Sequence, residues 1–359
     1  MTNGERAIVD ALRAGIADGR FAADRPLPSI RSLASTYGVS AYVARRAIDE
    51  LVRQNLVTSR HGSGTYVTKR GLARKIGIVV PGLAYSDYFR SLVDRIGQLC
   101  ARGGYRPLMR DDWTESSLGR AKEVFGFVRG LIRERVAGVV FQPLEHFPKA
   151  DYANRKIVEA LDGAGIPIVL VDSDIVAPPG RSRYDVVGIN NHDAGVRVAE
   201  HLLSLGVTEI RFVLGSNADW NIKNRMNGVM SALTARGIAW SGRNVLSCEP
   251  NDLQAIRASL RERPKPRAFV CRGDATAAVL MKTLKRLGRC IPEDVMVVGF
   301  DDVAVAARTD PPLTTIRQPG AAIAAAAFRA LVGRIAAPSL PPCEIYLPAP
   351  LVVRSSTRP

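Results

Sequence analysis

The chain has 359 residues, too many for one ordinary core and enough for two or three domains. Hydrophobic residues make up 47% and charged residues 23%, the balance of a water-soluble globular protein, and no run of about 18 apolar residues exists to span a membrane. The formal net charge of +16 favours a polyanionic partner, although a basic balance alone also occurs in proteins that have none.

The charge is unevenly placed. Residues 1–75 carry 13 Lys and Arg against 6 Asp and Glu, so the first fifth of the chain is about three times as densely basic as the rest. The five cysteines are scattered and never form a CxxC pair, which argues against a disulfide framework or a zinc site and fits a reducing compartment. The start "MTNGERAIVDALRAGIADGRF" is amphipathic and lacks the apolar core of a signal peptide, so a cytoplasmic location is expected.

In chain order, the first elements are helices. Ile8, Leu12 and Ile16 recur every four residues and give one apolar stripe. Pro26 and Pro28 break the chain, Ser29 caps a helix through "IRSLASTYG", and Gly38 ends it. Ser40 caps the next helix, on which Val43, Ala47, Ile48 and Leu51 form the apolar face. The β-prone runs "LVTSR" and "GTYVTK", joined by "HGSG", read as a hairpin. Three helices and a hairpin outline an α+β winged helix-turn-helix over residues 1–68. The basic stretch "TKRGLARK" supplies a linker, placed at 69–75.

From residue 76 the pattern changes. Short apolar runs ("KIGIVV", "GVVF", "IPIVLV", "VVGI", "EIRFVL", "RAFVC", "VMVVGF") alternate with helical stretches, among them Tyr88–Ala101, Ala194–Leu205, Ile222–Arg236 and Gly320–Ile335. This is the signature of parallel sheets covered on both faces, and the region is long enough for two doubly wound α/β lobes.

On the helix after Ser40, Tyr42, Arg45 and Arg46 lie away from the apolar face, where they either reach base edges and phosphates or form a solvated surface. Arg31 opens the preceding helix, where its side chain and the helix amides could hold a phosphate. His61 and Gly62 occupy the hairpin tip. The whole stretch "LPSIRSLASTYGVSAYVARRAIDELVRQNLVTSRHGSGTYV" resembles the DNA-binding domain of the GntR family. The resemblance implies that Arg31, Ser40, Tyr42, Val43, Arg45, His61 and Gly62 face double-stranded operator DNA. Ala41 stands where the family usually has arginine, and Val43–Ala44 replaces Thr-Val, so a departure in operator sequence is expected.

Residues 76–359 resemble the effector core of the LacI/GalR regulators, a two-lobed fold of periplasmic-binding-protein type. The segments that carry the resemblance include "VVGINNHDAGVRVAEHLLSLG", "RMNGVMSAL" and "VMVVGFDDVAVAARTDPPLTTIRQP". The combination is similar to arabinose-repressor-type architecture. It implies a transcriptional regulator, a repressor before an activator, that works as a homodimer and responds to a small carbohydrate effector bound between the lobes. No cofactor, metal or catalytic residue is called for.

Sugar recognition needs carboxylate acceptors, forked donors and flat apolar faces. Asp301, at the carboxyl end of "VMVVGF", fits the first need, at the strand ends where α/β ligands gather. Arg225 matches the ligand arginine of the family's "RxxG" element, and Asp274 the aspartate after the "FVC" strand, where it either binds ligand or caps the helix. Tyr88 and Phe89 match an aromatic pair, with Phe89 either in the cleft or in the core. Ser173, Phe141 and Gln142 sit at strand ends of the first lobe. Asn190 and Asn191 either touch ligand or hold their turn, and Trp220 either stacks on a sugar or stays exposed. An enzyme is the rival class, but no HExxH, GxSxG or P-loop pattern appears and the four histidines lack metal-ligand spacing.

Overall fold

The structure is a computed structural model of the chain. It describes all residues except 18–19, 22–24, 55, 61–62, 69–73, 85, 115, 146–148, 216–217 and 359, and the side chains of 17 and 117.

The amino-terminal unit holds α1 (Asn3–Ala17), α2 (Ile30–Tyr37), α3 (Ala41–Arg53), β1 (Val57–Arg60) and β2 (Gly64–Val67). The capping residues act as the sequence predicts. Ser29 Oγ accepts from the Ser32 amide, Ser40 Oγ accepts from the Val43 amide, and Gly38 turns the chain at φ 61°. Ile8, Val9, Leu12, Leu33, Ala44, Ala47, Ile48 and Leu51 close a small core with Leu56, Val57 and Val67. Val43, expected on the apolar face, is only half-buried in the first turn of α3, and Ala44 takes the core position. β1 and β2 pair antiparallel, Val57 opposite Val67, and the Leu27 amide bonds the Thr65 carbonyl to tie the entry of α2 to the hairpin.

The remainder forms two six-stranded sheets. The first runs in the order β13 (Glu344–Leu347), β7 (Asp185–Ile189), β6 (Ile168–Val171), β5 (Gly138–Phe141), β3 (Arg74–Val79), β4 (Tyr105–Met109), with every pair parallel. The second runs β14 (Leu351–Val352), β12 (Thr314–Arg317), β11 (Met296–Asp301), β10 (Ala268–Cys271), β8 (Ile210–Val213), β9 (Val245–Leu246), parallel except for β14. Arg74 and Lys75, expected in the linker, pair with Tyr105 and Arg106, because the register of β3 runs two residues ahead of its apolar core. The remaining linker residues, 69–73, lie outside the described residues.

Helices α4 (Asp87–Arg102), α5 (Ser117–Arg133) and α6 (Ala150–Gly163) belong to the first lobe. Helices α7 (Asn191–Ser204), α8 (Trp220–Thr234), α9 (Leu253–Arg261), α10 (Asp274–Arg286) and α11 (Ala304–Arg308) belong to the second. The last long helix, α12 (Gly320–Ala336), follows a second-lobe strand yet packs on α4, β5, β6 and β7 of the first lobe. The chain therefore crosses between lobes three times: after β7, after β12, and between β13 and β14. Such crossings leave the lobes joined by short strands of chain that can act as hinges. Among the described residues no helix is long and apolar enough to cross a membrane.

Candidate functional site

Between the lobes lies a cavity of about 1050 Å³. Its second-lobe wall is organised by a close crossing of α7 and α8. A Cβ at Gly195 would collide with the backbone carbonyl of Arg225, and one at Gly228 with that of His192. The two glycines let the helix backbones touch, which brings Arg225 beside Asn191. Arg225 is buried; its Nε donates to Asn191 Oδ1 (2.8 Å) and its Nη1 to the Arg272 carbonyl (2.6 Å). Its Nη2 lies 3.7 Å from Asp301 Oδ1, and the guanidinium covers the Phe300 ring at 4.7 Å. Gln318 Nε2 donates to the same carboxylate at 2.8 Å.

The first-lobe wall carries Tyr88 and Phe89 at the start of α4, with ring centroids 4.8 Å apart, and Asp172 and Glu145 from the loops after β6 and β5. Ser173 Oγ donates to Glu145 Oε1 (3.0 Å) and Gln142 Nε2 lies 3.4 Å from Glu145 Oε2. Asn221 of the second lobe donates to the Asp172 carbonyl (3.2 Å) and to its Oδ2 (3.0 Å), a direct bridge across the cleft. Both facing aspartates have left-handed backbones, φ 74° at Asp172 and 109° at Asp301. Such a conformation costs a non-glycine residue on the order of 1–3 kcal/mol and recurs where a side chain must be aimed.

The site is rich in carboxylates with few cations. Burial pushes Asp172 up to about 7, opposed by Arg225 and reinforced by Asp219 and Asp301. Burial also raises Asp301, against the pull of Arg225, and raises Glu145 well above the carboxylate range, with Asp219 and Asp172 adding to it. The Tyr88 hydroxyl is held well above its ordinary value, first by burial and then by Asp172 and Asp301.

Of the residues predicted from sequence, Tyr88, Phe89, Arg225 and Asp301 line one cavity. Four others do not. Phe141 is fully buried in the first-lobe core with Val139, because alternation along β5 sends these two to the outer helices and Val140 to the opposite face. Gln142 is buried and accepts the Gly82 amide at 2.8 Å, so with Ser173 it stands behind Glu145. Asp274 turns inward over Gly299, accepts from Thr315 Oγ1 (2.6 Å) and the Val303 amide (3.0 Å), and burial raises it to about 8. It ties β12 and the loop before α11 to α10, and does not cap its own helix, whose N-cap is Gly273.

Asn190 caps α7 and Asn191 orients Arg225. Trp220 is exposed, with the Lys223 ammonium 4.5 Å from its ring. Asp302 is clasped by Arg317 and Arg354, which hold it below the usual range despite burial. Asp172, Asn221, Glu145 and Gln318 were missed. The "VLVDSD" run ends an apolar strand on an aspartate just as "VVGFDD" does, and that parallel pointed to Asp172 rather than its neighbour Ser173.

On the amino-terminal unit, Arg31, Ser40, Tyr42 and Arg45 are exposed on α2 and α3 or their caps, with Tyr42 70% exposed, while Val43 is half-buried beside them. Arg46 lies 3.6 Å from the buried Glu5 carboxylate, so its charge is partly committed within the fold. On the hairpin, the Arg60 guanidinium covers the Tyr66 ring at 4.7 Å. His61 and Gly62 lie outside the described residues.

Residues 5–67 match the family described as bacterial regulatory proteins, gntR family, and residues 199–357 match the periplasmic binding protein-like domain. The chain is 31% identical to the HTH-type transcriptional regulator reg1 of Streptomyces lividans over 80% of its own length and 82% of that protein. It is 27% identical to the arabinose metabolism transcriptional repressor of Geobacillus stearothermophilus, over 96% and 94%. In fold it is similar to the transcriptional regulator CelR in complex with cellobiose, with a TM-score of 0.66 at 23% identity, covering 92% of this chain and all of that one.

Proposed function

Since this chain belongs to the bacterial HTH-type transcriptional regulators, joining a gntR-family reader to a periplasmic-binding-protein-like sensor, we propose that a carbohydrate bound between its lobes sets its affinity for an operator. The observation that carries this reading is the facing of Arg225 and Asp301 on the second lobe with Asp172 and Tyr88 on the first, across one cavity. A polyhydroxylated ligand would satisfy acceptors on both walls at once, so it stabilises the arrangement in which both walls reach it. The arabinose repressor among the relatives and the cellobiose complex among the structures support a sugar and a repressor.

Arg31, Tyr42 and Arg45 are the proposed DNA contacts, with Ser40 and Val43 shaping the first turn of α3, and His61 and Gly62, which follow β1 in sequence, complete the proposed set. One winged helix covers a half-site, so the protein acts as a homodimer in the cytoplasm on a two-fold operator. An operator selected from random duplexes is the reagent for the test. Gel shifts with and without a sugar panel should show one class of sugar changing the affinity. Asp301→Ala should bind that operator normally and lose the response; a variant that responds at the wild-type sugar concentration refutes the cleft assignment.

A further inference from the structure

The cleft offers two buried polar atoms that lack hydrogen-bond partners. Gln318 is 8% exposed; its amide nitrogen is fixed on Asp301 Oδ1, so the carboxamide oxygen is the end left over, and it has no partner. Tyr88 is 5% exposed and lines the cavity, yet its hydroxyl has no partner either. A buried polar atom without a partner costs free energy, and two such atoms facing one cavity mark groups that a ligand would satisfy.

Carboxyl groups surround these atoms. Asp172, Asp301, Glu145 and Asp219 line the cavity, and among the described residues Arg225 is the cation paired with Asp301. Arg225 is already engaged by Asn191 Oδ1 and the Arg272 carbonyl, with Asp301 as its counter-charge. Two further arginines of the lining are held by neighbouring groups. Arg120 donates its Nε to the Thr114 carbonyl, and the Arg272 Nε donates to Thr276 Oγ1. Arg90 and Lys282 also line the cavity and are exposed, as are Asp87 and Glu249.

We infer that this cleft selects an uncharged, hydroxyl-rich effector and turns away sugar acids and sugar phosphates. Ligand hydroxyls donate to Asp172, Asp301 and the Gln318 carboxamide oxygen, and one of them pairs with the Tyr88 hydroxyl. A ligand carboxylate or phosphate brings acceptors to the Gln318 carboxamide oxygen and the carboxyl oxygens, and a negative charge to half-buried surroundings that already hold their own carboxyls towards the protonated form. Burial, with neighbouring carboxyls adding to it, raises the affinity of Asp172 and Glu145 for protons, so the same surroundings disfavour a negative charge on a ligand.

The inference rests on the cleft being the effector site. Its test is a thermal-shift and titration panel on the full-length protein. The probes are arabinose, xylose, glucose, galactose, maltose and cellobiose, set against glucuronate, galacturonate, glucose 6-phosphate and galactose 6-phosphate. At least one uncharged sugar should raise the melting temperature, and its uronate or phosphate should bind at least about tenfold more weakly. Measured at pH 8, above the value of about 7 to which Asp172 is raised, Asp172→Asn keeps the shape and removes one charge, and it should narrow that ratio. An anionic member binding within tenfold of its parent overturns the inference, as does silence from every uncharged sugar at millimolar concentration. An unchanged ratio in Asp172→Asn does so too. Failure of the underlying reading looks different: a sugar would bind and leave operator affinity unaltered, or Asp301→Ala would keep the full response.

Discussion

Replacing Gly195 by alanine tests whether the α7–α8 crossing builds the effector site. The added Cβ would overlap the Arg225 carbonyl oxygen, lie 2.9 Å from its carbon and 3.1 Å from Gly228 Cα. All three are backbone atoms, so no side chain can swing away and the helices must separate by roughly an ångström. The 2.8 Å bond from Arg225 Nε to Asn191 then stretches beyond hydrogen-bond reach. Overpacking costs about 1–3 kcal/mol, and leaving a buried guanidinium poorly paired adds about 1–3 more. The better helix propensity of alanine returns up to about 1 kcal/mol, for a net loss of about 1–6 kcal/mol.

Urea denaturation reads this loss as a lower midpoint with an unchanged slope. Gly97→Ala is the matched control, since Gly97 lies in α4 with no atom within 4 Å of an added Cβ, and it should gain up to about 1 kcal/mol. The sugar response should fall with Gly195→Ala and persist with Gly97→Ala. If Gly195→Ala keeps both its stability and its response, the crossing does not position Arg225 in the way described.

Other outcomes are open to measurement. Arg45→Ala should weaken operator binding and relax discrimination at one base pair by about 1–3 kcal/mol, whereas Arg31→Ala should weaken all duplexes alike; competition gel shifts with single-base operator variants separate the two. Sedimentation of the full chain at micromolar concentration should give a dimer, and a monomer there contradicts the two-fold operator. Asp274 keeps its proton in the native state to about pH 8, far above its unfolded value. Its contribution to stability is therefore fullest where both states are protonated and is lost as pH rises from about 4 through about 8, with Asp172 contributing in the same direction up to about 7. Denaturation at a series of pH values should show this decline, and it should be shallower in Asp274→Asn; an equally steep decline in that variant puts the titrating group elsewhere.

What was legible in the sequence divides along a physical line. Caps and turns are decided within a few residues, so Ser29, Gly38 and Ser40 sit where the sequence puts them. Buried parallel strands announce themselves as apolar runs, and all seven such runs form strands. The edge strands β9, β13 and β14 are short and only half-buried, with no apolar run to mark them, and which sheet each joins is a matter of tertiary contact. α5 carries glycines at 119, 126 and 130, which blunt its helical signal.

The effector site was half legible for a related reason. A motif fixes a residue's place along a strand but leaves open which face of the sheet the ligand meets. Asp301 and Arg225 follow from their motifs, whereas Phe141 and Asp274 sit at strand and helix ends yet point into the cores. Asp172 reaches the cavity through a left-handed turn at the end of β6 that no alternation rule predicts. Gln318 and Asn221 enter only because the chain recrosses between lobes and because α8 begins opposite Asp172. Both belong to the second lobe's side of the cleft, and Asn221 bonds directly to the first lobe. Asn221, among the residues hardest to read from sequence, is thus the one that bonds the two walls of the cleft directly.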